Sequence, residues 1–412
     1  MDPFIFCDID GVEDAERYGP GGLYPVKVGD MLGPDTAAPR YRVLAKLGHG
    51  GYSTVWLAND LVERYDNVKT VAVKLVGAAE TADSHEAKIL ERLSAPSAST
   101  PPHVLQVVDS FTVRSANGIH LVLVTEPVLL LQSFLELPGV RANMKDLLRQ
   151  ALEGLVFIHG RGIVHGDLHT SNLGVALPDL KTFPDTEFLL ECGPPEIIPL
   201  VPSDPARDPA SFPPYLAWPA KLPRFLLTNA PEFASRQPQL RILDLGNAYV
   251  ARECPSPPCC TPISFVRPEV IFPRVAYKDR NGPWDRRTDI WSLASTIHEM
   301  AGGGPLFHGC GLGASLLRHM ASLCGGAPQE WMQYFITVPD ATAPQEMADA
   351  LWGVRATHFT RFGAPKEEAD ALAKFLRRML VLDPHERPSA SELLQDPYFL
   401  RADMEEAPSG EH

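Results

Sequence analysis

The stretch VHGDLHTSN, residues 164–172, sets Asp167 and Asn172 five positions apart in a segment that also holds His165 and His169. It follows NMKDLLRQALEGLVFIHGRG, whose apolar residues recur at helical spacing and which stops at glycines. The pair therefore sits in a loop between two short apolar runs, GIV and LGV. A carboxylate there can accept a proton from an attacking hydroxyl. A neighbouring amide oxygen is a neutral, hard ligand suited to Mg²⁺. His165 reads as a packed loop residue rather than a second base.

Three further stretches take on meaning once this loop is fixed. In LRILDLGNA, residues 240–248, an apolar strand ends in Asp244, and Gly246 lets the chain turn away. Asp244 is then a natural second metal ligand, although Asp-Leu-Gly by itself is an ordinary turn. In KTVAVKLV, Lys74 stands alone on a valine-rich strand. It is either an edge lysine or a cation that crosses to phosphates, and the second role needs an anion to fix its long stem. Glu86 on the following helical segment is the candidate, with Glu80 and Glu91 as alternatives. In LGHGGYSTV, residues 47–55, Gly48 and Gly50 allow close backbone approach to phosphates. A simple hairpin turn would use the same glycines, and no Lys-Ser/Thr pair closes a Walker loop.

The chain has 412 residues, 45% of them hydrophobic and 21% charged, as in a folded domain with a sizeable core. Its formal net charge of −14 argues against direct nucleic-acid binding, which depends on neutralising phosphates with Lys and Arg. The same charge suits a basic partner or a solubilising surface. No stretch approaches a membrane span, and the first residues lack a signal-peptide pattern. The seven cysteines, including Cys254, Cys259 and Cys260, match no standard zinc spacing and read as unpaired thiols in a reducing compartment.

Along the chain, residues 1–40 read as an irregular lead-in. Residues 41–126 are mostly strands (YRVLAKLG, STVWLAND, KTVAVKLV, IHLVLVTE) with one helix, SHEAKILERL, that puts Ile89, Leu90 and Leu93 on one side. Helical spacing dominates 127–400, in RTDIWSLASTIHEMAGG, EEADALAKFLRRMLVL and the capped start SASELL. Residues 178–238 interrupt this order with a proline-dense insertion of little expected regular structure. Its Phe212, Tyr215 and Trp218 suggest that it packs on the body. Residues 401–412 read as an acidic tail.

A glycine-rich turn, a strand lysine, a helix glutamate, HxDxxxxN and DxG, in that order, form the protein-kinase signature set. Over roughly residues 16–400 the chain resembles the eukaryotic protein-kinase superfamily, and within it the SR-protein kinases. GGLYPVKVGDMLG, KLGHGGYSTVWLAND and ILDLGNAYV carry the closer likeness, with Ser53 where most kinases have a third glycine. A short, proline-rich insertion before Asp-Leu-Gly resembles that of fungal members.

The resemblance implies an α+β, two-lobed protein-kinase-like fold: an N-lobe with an antiparallel sheet plus one helix, and a larger, mainly helical C-lobe. It implies an ATP-dependent serine/threonine protein kinase acting on Arg/Ser-rich or otherwise basic proteins, monomeric, without direct nucleic-acid or membrane binding, in cytoplasm or nucleus. Leu47, Gly48, His49, Gly50, Gly51, Tyr52, Ser53, Thr54 and Val55 would cover ATP, with Val55 and Ala72 flooring the adenine pocket. Thr125 to Val128 would form the hinge, with Glu126 and Val128 contributing to ATP binding and Pro127 lacking a backbone donor. Lys74 would hold the α- and β-phosphates through Glu86, Asp167 would orient the substrate hydroxyl, and Asn172 and Asp244 would hold Mg²⁺ in a cleft between the lobes. Glu269 would pair with Arg387, and Asp289 would brace the catalytic loop.

Two positions depart from the family pattern. Gly166 replaces an arginine that receives an activation-loop phosphate in many kinases, so control by that route is not expected. His169 replaces the catalytic-loop lysine, and a histidine is only partly charged at neutral pH, so reduced but real turnover is expected. Two alternatives stay open on the sequence. One is a weakly active or inactive pseudokinase scaffold, suggested by the missing lysine. The other is a small-molecule kinase of the aminoglycoside or choline type, which carries a similar HGDLHxxN loop but lacks segments like RPEV, DIWSLA and HERPS.

Overall fold

The alternating residues of YRVLAKLGH and STVWLAND become paired antiparallel strands in the computed structural model, which describes residues 4, 10–35, 37–61, 69–82, 84, 86–94, 103–138, 144–177, 188, 192–234, 236–253, 265–276, 284–307, 313–329, 331, 345–361 and 363–400. These strands belong to a six-stranded sheet made of β1 (Met31–Leu32), β2 (Tyr41–His49), β3 (Ser53–Asp60), β4 (Lys69–Val76), β5 (Val107–Ser115) and β6 (Gly118–Thr125). The spatial order is β1-β2-β3-β4-β6-β5, and every neighbouring pair is antiparallel. Successive side chains of a strand point to opposite faces, so register decides which residues share a face. Trp56 lies opposite Val73, and Ala58 opposite Val71, on the face that forms the main core with Val43, Leu75, Val122 and Val124. Val55 lies opposite Lys74, and Leu57 opposite Ala72, on the other face. A short helix, Ala78–Ala82, precedes Glu86–Ser94, which buries the expected Ile89, Leu90 and Leu93.

Two compact units divide the chain, one of Met1–Ser94, Leu105–Arg141 and Val175–Pro238, the other of Ala95–Val104, Ala142–Gly174 and Gln239–His412. This differs from a division at 126/127, because the described part of the proline-rich insertion packs in the first unit. The insertion also has more regular structure than its composition suggests. Ile197–Pro199 pairs antiparallel with Tyr215–Ala217, and Leu222–Asn229 is a helix. Among its described residues the lead-in has a 3-10 turn at Ala15–Arg17 and the short strand β1, and its apolar side chains pack into the unit's cores. Val26 and Leu32 enter the main core with Ala217 of the insertion. Phe4, Val12, Ala15, Tyr18 and Leu23 form a second core with Leu200 and Leu216. Phe212 and Trp218 pack on this core and the Tyr215 hydroxyl accepts from the Val28 N–H at 3.2 Å, as the expectation of a packed insertion requires. Asn117, at the turn between β5 and β6, donates from one amide nitrogen to Leu23 O and Ser211 O, both at 2.7 Å. One buried side chain thus ties lead-in, insertion and sheet together.

The second unit is helical around Met144–Gly160, whose Leu147, Leu148, Ala151, Leu152, Leu155 and Ile158 are buried. Gly154 is required there, since a Cβ would stand 2.8 Å from Ile242 Cδ1. Arg287–His298, Lys366–Met379 and Ala390–Leu394 follow their sequence signals, the last with a full Ser389–Glu392 capping box. Pro268–Ala276, Ala314–Cys324 and Gln345–Arg361 are further helices that the sequence reading did not single out. The Cys324 thiol donates to Leu380 O, and burial pushes its pKa up to about 12, so it is chemically quiet. Cys254, Cys259 and Cys260 and the tail 401–412 lie outside the described residues.

Arg387 and Glu269 pair with both nitrogens on both oxygens at 3.0 Å in the second unit. Arg387 is fully buried, donates also to Val381 O and Arg287 O, and lies over Trp291. Removing one partner leaves a buried, uncompensated charge. Arg387→Ala is therefore expected to cost roughly 3–5 kcal/mol of stability, read as a lower thermal unfolding midpoint, and Arg387→Lys is expected to rescue little because it lacks the planar fork. An unchanged midpoint in Arg387→Ala would show that the pair contributes nothing.

Candidate active site

In the first unit, the turn between β2 and β3 is closed by the Gly50 N–H donating to Ser53 O at 2.9 Å. A Cβ at Gly48 or Gly51 would meet no protein atom within 4 Å, and one at Gly50 only Ser53 Oγ at 3.7 Å. Packing does not demand these glycines. Their bareness leaves backbone open to something outside the chain. Tyr52 is 61% exposed at the turn. Thr54 is an exception within this run: its side chain is buried on the core face and accepts from Trp56 Nε1 at 3.0 Å, so only its backbone belongs to the turn.

Lys74 lies on the sheet face that also carries Val55 and Ala72. Its Nζ stands 2.9 Å from both carboxylate oxygens of Glu86. The choice among three glutamates is thereby resolved in geometry, since Glu80 pairs with Arg17 at 3.1 Å and Glu91 is exposed. Glu126 and Val128 are half-buried beyond the end of β6; Glu126 Oε1 accepts from Gln106 N–H, and the carbonyl of Pro127 accepts from Leu177 N–H.

In the second unit, Asp289 is fully buried on the helix Arg287–His298. One of its oxygens accepts from His159 Nε2 and His165 N–H, both at 2.9 Å, and the other from Gly166 N–H at 2.8 Å. Burial alone would push this carboxyl up, but these donors, His159 foremost, hold it below its ordinary value. His165 is fully buried and both ring nitrogens are used, Nε2 toward Leu243 O at 2.9 Å and Nδ1 accepting from Asp167 N–H at 3.2 Å. It holds the loop and is not available as a base.

Asp167, Asn172, Asp244 and His169 are drawn together in this unit. Asn172 Nδ2 donates to Asp167 O at 2.8 Å, and Leu243 N–H donates to Asn172 O at 2.9 Å, which sets Asp244 beside the loop. Asp167 Oδ2 accepts from Asn247 Nδ2 at 2.9 Å, while its buried Oδ1 has no hydrogen-bond partner among the described residues. Asp244 is exposed and sits at φ +52°, a left-handed conformation uncommon outside glycine but tolerated by aspartate, whose Oδ1 accepts from Gly246 N–H at 3.3 Å. His169 Nε2 lies 3.1 Å from Asn172 Nδ2 and 3.8 Å from Asp167 Oδ2. Burial holds its pKa below the ordinary imidazole value, against the pull of the Asp167 carboxylate.

Two features were not legible as site residues. Asn247 follows Asp-Leu-Gly immediately, yet nothing in its spacing shows that it reaches back across 80 residues to Asp167. Gly166 reads in sequence as a missing arginine. In three dimensions it adopts φ +79°, and a Cβ would come within 2.5 Å of Trp284 Cη2. Arg267 Nη2 donates to its carbonyl at 2.7 Å from a fully buried position.

Asn172 and Asp244 fit a magnesium ion by donor chemistry. The Asn172 amide nitrogen is spent on Asp167 O, which leaves its oxygen as the ligating atom, and Asp244 offers an exposed carboxylate. Two hard oxygens and no thiolate suit a cation that keeps several waters.

The protein kinase domain model matches residues 41–181 and 228–399. A serine/threonine-protein kinase SRPK of Physarum polycephalum is 27% identical over 420 residues, spanning 94% of this chain and 91% of that protein. SRSF protein kinase 3 of Mus musculus is 34% identical over 181 residues, 40% of this chain and 30% of that protein. A crystal structure of a kinase domain, 19% identical, overlays with a TM-score of 0.55 and covers 92% of this chain, a likeness of fold. With a sheet lysine tied to a helix glutamate in one unit and an Asp167–Asn172–Asp244 cluster in the other, this chain belongs to the protein kinase domain family and is a serine/threonine protein kinase.

Proposed function

We propose that this kinase is catalytically active, uses ATP with Mg²⁺, and phosphorylates serine in Arg/Ser-rich or otherwise basic proteins. The observation that carries the activity is Asp167: one carboxylate oxygen is fixed by Asn247, and the other is buried and unpartnered. An orphaned carboxylate oxygen is costly to maintain. A substrate hydroxyl would satisfy it by donating its proton. The hydroxyl oxygen would then attack the γ-phosphorus as the bond to ADP breaks, with the proton passing to Asp167. Lys74, held by Glu86, would orient the α- and β-phosphates under the turn 47–55. Asn172 and Asp244 would hold Mg²⁺, which when bound neutralises phosphate charge. The substrate class rests on the SR-protein kinases among the relatives and on the net charge of −14.

His169 favours low turnover rather than none. An imidazole whose proton affinity is lowered by burial is neutral at pH 7 and supplies no cation to the γ-phosphate. The pseudokinase reading shares this residue but leaves the preserved Lys74–Glu86 and Asp167–Asn247 contacts without a use.

Three measurements test this. Asp167→Ala is expected to lower phosphotransfer by about 10²–10⁴-fold with an unchanged melting temperature; wild-type activity no greater than that of Asp167→Ala would end the claim of catalysis. His169→Lys is expected to raise kcat severalfold at neutral pH, and its advantage should shrink as the pH falls below the ordinary imidazole range and the wild-type histidine protonates; a pH-independent ratio would remove charge as the cause. An Arg-Ser repeat peptide is expected to be a better substrate than a neutral serine peptide, and an aminoglycoside not to react. Equal rates on the two peptides would overturn the substrate class.

A further inference from the structure

The lead-in contains a buried ionic cluster that the phosphoryl-transfer reading does not use. Lys46 is on β2, two residues before Gly48, and its side chain is wholly buried. Its Nζ pairs with Glu13 Oε2, and Glu13 Oε1 accepts from the Tyr18 hydroxyl at 2.7 Å. Both carboxylate oxygens are thus committed, and the lysine is fixed at one point. The ladder between β2 and β3 shifts register between Val43 and Ala45 and again between Lys46 and Gly48, just before the turn.

The same segment reaches the turn at two more places. The Gly11 backbone lies near enough to the His49 ring to favour its protonated form against burial and Lys46, and the Arg17 guanidinium lies 4.8 Å over the ring of Tyr52 while pairing with Glu80 at 3.1 Å. Gly11 is itself seated against Trp218 of the insertion, where a Cβ would stand 2.3 Å from the indole. Ala220 N–H donates to Lys46 O at 2.8 Å. The lead-in therefore touches the turn before, within and after its glycines, and the insertion backs two of these contacts.

A buried ion pair is a poor source of stability, because desolvation offsets most of its attraction and an apolar pair of similar size would serve as well. What it supplies is a defined position. We propose that residues 11–18 form a strap that sets the glycine turn for ATP, with Glu13 and Lys46 as positioning residues. This rests on the reading of residues 47–55 as the ATP-covering turn. Apart from the backbone bonds Gly50 N–H to Ser53 O and Gly77 N–H to Tyr52 O, both at 2.9 Å, the bare glycines themselves offer no side chain to fix the turn's height, and misplacement by about 1 Å weakens a bound geometry strongly.

The test is ATP affinity in the full-length protein, by calorimetric titration and as KM, beside kcat on an Arg-Ser peptide. Glu13→Gln and Lys46→Met are each expected to raise Kd and KM for ATP by roughly five- to tenfold, with kcat at saturating ATP and the peptide KM within about twofold. The double change Glu13→Met with Lys46→Met is expected to recover the melting temperature but not ATP affinity; recovery of both would mean packing alone and overturn the strap. If Glu13→Gln does not fold, Arg17→Gln decides, since Arg17 is partly exposed. It should raise KM for ATP about two- to threefold. ATP affinity within twofold of wild type in the folded variants would also overturn the proposal. Wild-type ATP binding that is lost in Lys74→Met while these variants bind normally removes only the strap. A wild type that binds no ATP removes the reading of the turn as well.

Discussion

A carboxylate with no solvent exposure must be surrounded by donors, and Asp289 meets that demand with His159 and the backbone of the loop that leads to Asp167. His159, His165 and Gly166 each supply a hydrogen, and His165 passes the constraint on by accepting from Asp167 N–H. From Asp167 the bonds continue to Asn172 and to Asn247. A helix buried for apolar reasons, Arg287–His298, thus carries one charge whose satisfaction orders a loop 120 residues earlier. Gly166 belongs to this chain of necessity: its N–H is needed by Asp289, and its conformation and the nearby Trp284 leave no room for a side chain.

The first unit obeys the same rule with different partners. Lys46 and Glu13 are acceptable in its interior only together, and Asn117 spends its donors on two carbonyls from distant segments. These contacts make the lead-in and the insertion part of the packing. The main sheet needs Val26, Leu32 and Ala217 on its core face, and Phe4, Leu200 and Leu216 close a second cluster beside it. Lys74 stays on the opposite face, where both carboxylate oxygens of Glu86 stand 2.9 Å from its ammonium.

Legibility followed how local the controlling interaction is. Ile89, Leu90 and Leu93, the Ser389–Glu392 capping box and the alternation of β3 depend on neighbours a few residues away, and all could be read directly. β5 was not singled out, because VVDSFTVRS fully buries only Phe111 and its half-buried positions include polar Asp109 and Ser115, which blurs the alternation. The three-residue strands of the insertion carry too short a pattern to separate from proline-rich loop. Thr54 shows the finer limit, since a motif of nine residues does not say which of them turn inward.

The sequence by itself determined the order of chemical groups: a glycine turn, Lys74, Glu86, Asp167, Asn172 and Asp244, each on a segment whose local type follows from side-chain period and turn residues. It also determined that His169, not a lysine, stands in the loop. Only the tertiary structure decided which glutamate meets Lys74, that Asn247 holds Asp167, that burial lowers the proton affinity of His169, and that Val26 and Leu32 of the lead-in are built into the sheet's core. The reason is physical. Periodicity reports a residue's relation to its own helix or strand, whereas hydrogen-bond satisfaction and desolvation depend on whatever the fold brings within a few ångströms from elsewhere in the chain.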